Sequence, residues 1–140
     1  MGELTFVLSE TLDEQDREAV REGLRAYNAA TYGPGDGREL CVVARDSGGR
    51  IVAGLLGRTS WGWLYVSNLW VAEGLRGRGV GTELLARAEA EGFARGCRRA
   101  WLDTWQARAF YEKLGWRVFG HLDDFPAGHQ RCFLTKDLAK

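Results

Sequence analysis

Hydrophobic and polar positions divide the chain into short apolar runs and longer stretches with helical spacing. Runs rich in β-branched and aromatic residues predict strands, and they cover residues 4–9, 40–46, 51–57, 61–73, 98–105, 116–122 and 129–138. Apolar positions three and four residues apart predict helices over 11–33, from residue 80 to a stop at Gly96, and over 106–115. The predicted order is strand, helix, three strands, helix, strand, helix and two strands.

This order predicts an α/β fold built on a mixed sheet with helices on it. The segments flanking DSGGR at 46–50 are expected to form an antiparallel hairpin, whereas strands joined through a helix are expected to lie parallel. The chain of 140 residues has no internal repeat, low-complexity tract or linker. One domain over residues 1–140 is therefore predicted.

Charge and composition argue against several functional classes. Lys plus Arg and Asp plus Glu number 19 each, for a net charge of +0, so a protein that coats nucleic acid or an anionic membrane is not expected. No stretch approaches the roughly 18 apolar residues of a membrane span. Cys41, Cys97 and Cys132 stand at unrelated spacings. They indicate neither a disulfide framework nor a metal site, and they favour the reducing cytoplasm.

A glycine-rich turn, RGRGVG at 76–81, follows an apolar strand and opens a predicted helix. The first N–H groups of a helix have no internal partners, and the helix dipole places about half a positive charge beside them. Glycines let the backbone approach a ligand closely, and Arg76 and Arg78 add forked donors suited to phosphate. The turn is a candidate pyrophosphate site. A flexible turn with solvated arginines is the alternative.

Two common nucleotide motifs do not fit this turn. A P-loop needs Lys followed by Ser or Thr after its last glycine, and no such pair follows Gly81. The dinucleotide fingerprint needs the spacing G-x-G-x-x-G after a first strand, whereas this turn follows the fourth predicted strand. These mismatches leave the anion unnamed.

Two segments together resemble the GNAT superfamily of N-acetyltransferases. The turn is similar to the family's R/Q-x-x-G-x-G/A signature, and FYEKLGW at 110–116 resembles its second common motif. The resemblance covers essentially the whole chain. It implies a mixed, mostly antiparallel sheet of about seven strands, with a splay between the fourth and fifth where acetyl-CoA binds. The implied cofactor-binding residues are Leu69, Trp70, Val71, Arg76, Gly77, Arg78, Gly79, Val80, Gly81, Thr82, Thr104 and Gln106.

Acetyl transfer to an amine needs a neutral amine, a stabilised oxyanion and a proton for the leaving thiolate. The resemblance implies that Tyr111 is the general acid; core packing is its alternative role. Many relatives carry a glutamate base on the fourth strand, but GWLYVSNLW at 62–70 has no carboxylate. Tyr65 stands near that position, so we expect a water-mediated route through Tyr65 or backbone carbonyls.

The acceptor site is expected on the first helix, the aromatic fourth strand and the loop before the last strand. Its candidate residues are Tyr27, Trp61, Trp63, Asp103 and His129. An aromatic pocket suits a cation or an aryl amine, although core packing is the alternative for most of the tryptophans. Asp103 is expected either to contact the amine or to form structural hydrogen bonds.

Two functions follow from these features. The first is an N-acetyltransferase in which a primary amine attacks acetyl-CoA directly, with no covalent enzyme intermediate. The second is an acyl-CoA-binding sensor or interaction module without turnover, which the missing carboxylate favours and Tyr111 opposes. The identity of the acceptor, a small-molecule or protein amine, stays open. The use of acyl groups other than acetyl and the formation of a homodimer also stay open.

Overall fold

The computed structural model describes residues 2–139, which fall into two compact units, one ending at residue 35 and the other beginning at residue 36. The first unit is built on helix α1, Glu14–Tyr32. The Asp13 side chain accepts a hydrogen bond of 2.8 Å from the Asp16 N–H. This N-cap satisfies one of the free donors of the first turn and fixes where the helix begins.

Residues 4–9, predicted to be the first strand, do not belong to a strand. Their apolar side chains are exposed, Phe6 to 88% and Leu8 to 97%. An apolar run indicates a tendency to pair, but a strand also needs a hydrogen-bonded neighbour, which the sequence pattern does not supply. The strand prediction for this segment is wrong. Among the described residues the sheet has six strands, close to the predicted number of about seven.

The second unit is built on this single sheet. Its strands are β1 (Arg38–Arg45), β2 (Ile51–Ser60), β3 (Trp63–Val71), β4 (Arg99–Thr104), β5 (Arg117–Asp123) and β6 (Gln130–Asp137). They lie side by side in the order β1-β2-β3-β4-β6-β5. Neighbours are antiparallel except for β3 and β4, which are parallel. The predicted α/β class and mixed, mostly antiparallel sheet are confirmed.

The strand predicted over 61–73 is shorter at both ends. Trp61 and Gly62 form a two-residue turn between β2 and β3, with φ of 47° and 83°. Positive φ at both positions is what a type I′ hairpin requires. At the other end of β3, a short 3-10 helix, Glu73–Leu75, leads into the glycine-rich turn.

β3 and β4 separate part-way along their length. They pair from Trp63 with Arg99 to Val66 with Leu102, whereas β3 continues as far as Val71. These are the fourth and fifth predicted strands, so the expected splay is present. It leaves one edge of the second half of β3 without a neighbouring strand.

Two helices of the second unit, α2 (Val80–Ala94) and α3 (Arg108–Lys113), pack against this sheet. The largest fully buried side chains of the core are Leu55, Leu64, Leu85, Leu102 and Leu134. Burying a leucine stabilises the fold by about 1.5–3 kcal/mol. This packing holds the N-terminus of α2 beside the end of β3, where the candidate site lies.

Candidate active site

The glycine-rich turn joins the end of β3 to the start of α2. Gly77 and Gly79 have φ of 78° and 80°, in the left-handed region that favours glycine. Gly79 is the N-cap, and the Glu83 N–H donates to its carbonyl oxygen at 3.0 Å. Within the described residues, the N–H groups of 80–82 find no backbone acceptor. They are therefore available to an anion.

A cleft of about 590 Å³ opens between this turn, the end of β3 and helix α3. Its walls are Leu69, Trp70, Val71, Leu75, Arg76, Gly77, Gly79, Val80, Gly81, Thr82, Gln106, Ala107, Phe110 and Tyr111. The structure thus brings together all the predicted cofactor-binding residues except Arg78 and Thr104. It adds Tyr111, the predicted general acid, to the same cleft.

Arg78 and Thr104 have other surroundings. Arg78 lines a neighbouring cleft of about 490 Å³ between β1 and the first turns of α2. The Thr104 hydroxyl oxygen accepts a hydrogen bond of 3.2 Å from the Ala107 N–H. Thr104 therefore shapes the loop that carries Gln106 into the cofactor cleft.

Backbone groups at the end of β3 face the splay. The Ala72 N–H donates to the Val52 carbonyl of β2 at 2.9 Å. Alternate residues of a strand point their backbone groups to opposite neighbours, so those of Leu69 and Val71 point toward β4, where pairing has ended. The Val71 carbonyl accepts from Arg76 Nε at 3.1 Å. Leu69 thus offers both a donor and an acceptor to a ligand.

Tyr111 lies in α3 with only 6% of its surface exposed. Its ring contacts Phe110 and Trp116 edge-on, with centroids 5.1 Å and 6.0 Å away. Burial raises the pKa of the phenol to about 12, and the charge of Asp103 adds to the rise. The hydroxyl therefore stays protonated at neutral pH and is able to donate a hydrogen bond.

Tyr65 does not line the cofactor cleft. It lies in the half of β3 that still pairs with β4, opposite Trp101, and the two rings stack with centroids 4.2 Å apart. A bulge shifts the register of β2 and β3 between Leu56 and Gly57, so counting along the strand does not predict which of its residues reach the splay. Such a bulge leaves no signal in the sequence pattern.

Within the second unit, the predicted acceptor residues Trp63 and His129 line different pockets. Tyr27 lies in α1, and Trp61 lies in the turn before β3, where its N–H donates to Asp36 at 2.8 Å. Trp63 lines an aromatic cleft of about 430 Å³ with Trp101, Phe119 and Thr135. His129 lines a pocket of about 660 Å³ with Trp105, Gln106, Phe125 and Pro126. Gln106 also lines the cofactor cleft, so these two spaces adjoin.

Asp103, the remaining acceptor candidate, is ion-paired with Arg131. Arg131 Nε and Nη2 both lie 2.6 Å from the same carboxylate oxygen. The side chain of Asp103 is 9% exposed and that of Arg131 is 25% exposed. The guanidinium also lies 4.8 Å from the ring centroids of both Trp105 and Phe125. Sequence analysis missed Arg131 because only the β4–β6 register brings it to Asp103.

The three cysteines, all within the described residues, do not line the cofactor cleft. Cys97 is buried, and burial is the main cause that raises the pKa of its thiol. The Cys132 thiol is buried and lies 3.5 Å from the Gln130 side-chain oxygen, while Cys41 is exposed on β1. None of these positions provides a thiolate next to the cleft.

Residues 2–139 lack two further kinds of feature. In that part of the chain no group of three or more His, Cys, Asp or Glu side chains is arranged to hold a metal ion. Over the same residues no helix has the length and apolar character needed to cross a membrane.

Comparisons with known proteins agree with this geometry. The Acetyltransferase (GNAT) family matches residues 7–116. Acetyltransferase Atu2258 of Agrobacterium fabrum is 39% identical over 135 residues, which is 95% of this chain and 98% of that protein. Blasticidin-S acetyltransferase of Streptomyces morookaense is 41% identical over 93 residues, 64% of this chain and 68% of that protein.

A similar solved structure supports the same conclusion. A crystal structure of an Agrobacterium tumefaciens protein, 39% identical, superposes with a TM-score of 0.90 and covers 96% of this chain and 100% of that one. The family match includes the glycine-rich turn and the segment around Tyr111. The chain therefore belongs to the GNAT family of acetyltransferases.

Proposed function

We propose that this protein moves an acetyl group from acetyl-CoA directly to the primary amine of a small molecule. Family membership makes it an acetyltransferase, with acetyl-CoA as the donor. The small-molecule amine and the direct attack are the proposed parts. The donor side rests on one observation: a helix N-terminus, an open strand edge and a buried phenol line the same cleft. The small-molecule acceptor is supported by the relative named blasticidin-S acetyltransferase.

The turn fits the pyrophosphate of acetyl-CoA. The N–H groups of residues 80–82 lack backbone acceptors within the described chain, and Arg76 lines the same cleft. A side chain at Gly79 would be strained by its φ of 80°, and a Cβ at Gly81 would lie 3.4 Å from the Phe110 ring. Donors, positive charge and bare backbone together suit an anion that must approach closely.

The open edge of β3 suits the amide-containing arm of the donor. The backbone N–H and C=O of Leu69 point toward the splay, where an amide could pair with them as a neighbouring strand would. We assign the oxyanion role to the N–H groups of Leu69 and Val71, because both belong to this edge. Fixed backbone donors of this kind stabilise charge as it develops on a carbonyl oxygen.

We propose that Tyr111 supports departure of the CoA thiolate. Its pKa of about 12 exceeds that of a thiol, ~8.5, by roughly 3.5 units, so complete proton transfer is uphill. The hydroxyl contributes instead a hydrogen bond that strengthens as negative charge develops on sulfur. This refines the role of general acid that the resemblance implies.

The amine must lose its proton, and we propose that water at the splay carries it away. β3 has no carboxylate, and Tyr65 does not line the cleft. Asp103 is held by Arg131. Direct attack is supported by the cysteines, since none of the three lines the cleft.

A sensor that binds acyl-CoA without turnover is the second candidate, favoured by the missing carboxylate on β3. The test is CoA release from acetyl-CoA with a panel of amines that includes blasticidin S, the substrate named for one relative. Amine-dependent CoA release, with an acetylated amine seen by mass spectrometry, supports the transferase. Tight acetyl-CoA binding without CoA release by any amine, including a peptide N-terminus, supports the sensor. Release with the peptide alone would instead make the acceptor a protein amine.

We also propose a cytoplasmic location, supported by an odd number of cysteines without a disulfide pattern. Fractionation of the producing cell would test it. The homodimer stays a prediction.

A further inference from the structure

The pocket around Trp105 adjoins the cofactor cleft. It has a volume of about 660 Å³ and includes Gln106, which also lines the cofactor cleft. Asp103 follows the last β4 residue that pairs with β3, so the Asp103–Arg131 ion pair lies at the splay. A molecule in this pocket therefore lies next to the place where the thioester is expected.

The pocket walls are flat and apolar. Trp105 and Phe125 are 46% and 42% exposed, with ring centroids 6.0 Å apart and planes inclined by 59°. The loop that carries Phe125 is held by its own backbone hydrogen bonds. The Phe125 N–H donates to the His129 carbonyl oxygen at 3.2 Å, and the His129 N–H donates to the Pro126 carbonyl oxygen at 2.9 Å. The rings therefore form a wall that exists before a ligand binds.

The ion pair of Asp103 and Arg131 beside this wall is balanced in charge. The Asp103 carboxylate is neutralised by two Arg131 donors at 2.6 Å, and that of Asp124, which precedes Phe125, accepts from the Gly128 N–H at 3.3 Å. The positive charge of Arg131 lies 4.8 Å from both ring centroids, so the cation sites of the two rings already have an internal occupant. A second cation brought by an acceptor would meet the like charge of Arg131, and no carboxylate lines the pocket itself.

We propose that this pocket selects a primary monoamine whose other end is a planar apolar group, rather than a polyamine. The inference rests on the proposed amine acetylation and adds the substrate class. The planar group lies against Trp105 and Phe125, and the amine points toward the splay. Because the adjacent ion pair is neutral overall, the pocket does not favour the charged ammonium form over the neutral amine that attacks.

The first test compares three amines with the wild-type protein: 2-phenylethylamine, ethylamine and 1,4-diaminobutane. We expect kcat/KM to be at least tenfold higher for 2-phenylethylamine than for ethylamine, with 1,4-diaminobutane below both. Equal kcat/KM for all three amines, or a higher kcat/KM for the diamine, would overturn the proposed substrate class. Either result would leave the acetyltransferase proposal intact.

Two variants test the location. Trp105→Ala should raise KM for 2-phenylethylamine at least tenfold and leave KM for ethylamine within about twofold. Phe119→Ala is a matched aromatic control from the separate cleft with Trp63. It should change neither the KM for 2-phenylethylamine nor the KM for ethylamine. If Phe119→Ala removes the preference instead, the pocket assignment is wrong.

A third variant tests the charge argument. Arg131→Gln leaves the Asp103 carboxylate without its ion pair, so kcat/KM for 1,4-diaminobutane relative to 2-phenylethylamine should rise at least tenfold. Circular dichroism would establish that this variant folds. An unchanged ratio in a folded variant would show that Arg131 does not set the charge preference.

A binding measurement separates this inference from the proposed function. If no amine releases CoA, the transferase proposal fails, and calorimetric titration of 2-phenylethylamine and ethylamine into the CoA-saturated protein still tests the pocket. Tighter binding of 2-phenylethylamine that is lost in Trp105→Ala supports it, and equal binding of the two amines overturns it.

Discussion

Arg76 donates from Nε to the carbonyl oxygen of Val71 at 3.1 Å. This bond ties the glycine-rich turn to the end of β3, so one side chain links the two elements that line the cofactor cleft. It also occupies the Val71 carbonyl and leaves Leu69 as the strand-edge residue with both backbone groups open. Arg76 thus has a structural contact as well as the phosphate role that its sequence position indicates.

Arg76→Ala should weaken CoA binding by about ten- to a hundredfold, because hydrogen bonds to charged groups contribute about 1.5–3 kcal/mol. Arg76→Lys keeps the charge but loses the forked geometry, so its loss should be intermediate. Isothermal titration with CoA measures both. Arg78→Ala is the comparison, since Arg78 lines the neighbouring cleft. A larger loss in Arg78→Ala than in Arg76→Ala would reverse the assignment.

Gly79→Glu should abolish measurable CoA binding. The substitution puts a carboxylate beside the expected pyrophosphate and a side chain at a φ of 80°. Gly79→Asn is the matched control, because asparagine tolerates the left-handed region and adds no charge. It should retain CoA binding within about tenfold, or about 1.4 kcal/mol. Unchanged CoA affinity in Gly79→Glu would mean that the turn does not hold the phosphates.

Tyr111→Phe should lower kcat by about ten- to a hundredfold, while the Kd for CoA changes less than threefold. A hydrogen bond that strengthens in the transition state contributes to kcat rather than to binding. Steady-state kinetics at saturating acetyl-CoA and a CoA titration make the measurement. Wild-type kcat in this variant would leave Tyr111 as a core aromatic residue.

The fold could largely be predicted from the sequence because local patterns determine it. Runs rich in β-branched and aromatic residues predicted the strands, and apolar positions three and four residues apart after Val80 predicted α2. The segment 4–9 failed because pairing depends on a partner strand that no local pattern shows. The same limit applies to the site. The turn at 76–81 is contiguous in the sequence and could be predicted from it. The Asp103–Arg131 pair depends on the register of β4 and β6 and could not.

Tyr65 shows the same limit within one strand. It was placed near the catalytic position by counting along β3, but pairing with β4 lasts through Val66. A bulge beside Gly57 changes the register with β2, and the Ser67 hydroxyl donates to the Leu56 carbonyl there at 3.0 Å. Neither the bulge nor the end of pairing follows from composition.

The raised pKa of Tyr111 makes a prediction about stability against pH. The phenol titrates near 10 in the unfolded chain and at about 12 in the folded protein. The contribution of the phenol to the free energy of unfolding is therefore fully present below pH ~10. It is lost as pH rises toward about 12, and the total loss of stability is roughly 2–3 kcal/mol. Urea unfolding at pH 8 and pH 11.5 should show wild-type losing more stability than Tyr111→Phe. Equal losses would contradict the raised pKa.

Gly57→Ala should destabilise the fold by about 1–3 kcal/mol, the usual penalty for overpacking. A Cβ at Gly57 would lie 2.6 Å from the backbone oxygen of Tyr65, so β2 and β3 must move apart at the bulge. Gly54→Ala is the control in the same strand, since its Cβ would meet Val43 at an ordinary 3.5 Å. Urea unfolding of the two variants measures the difference in the free energy of unfolding. Because the bulge precedes the open half of β3, Gly57→Ala should also weaken CoA binding, and equal stability of the two variants would show that the strands absorb the extra methyl group.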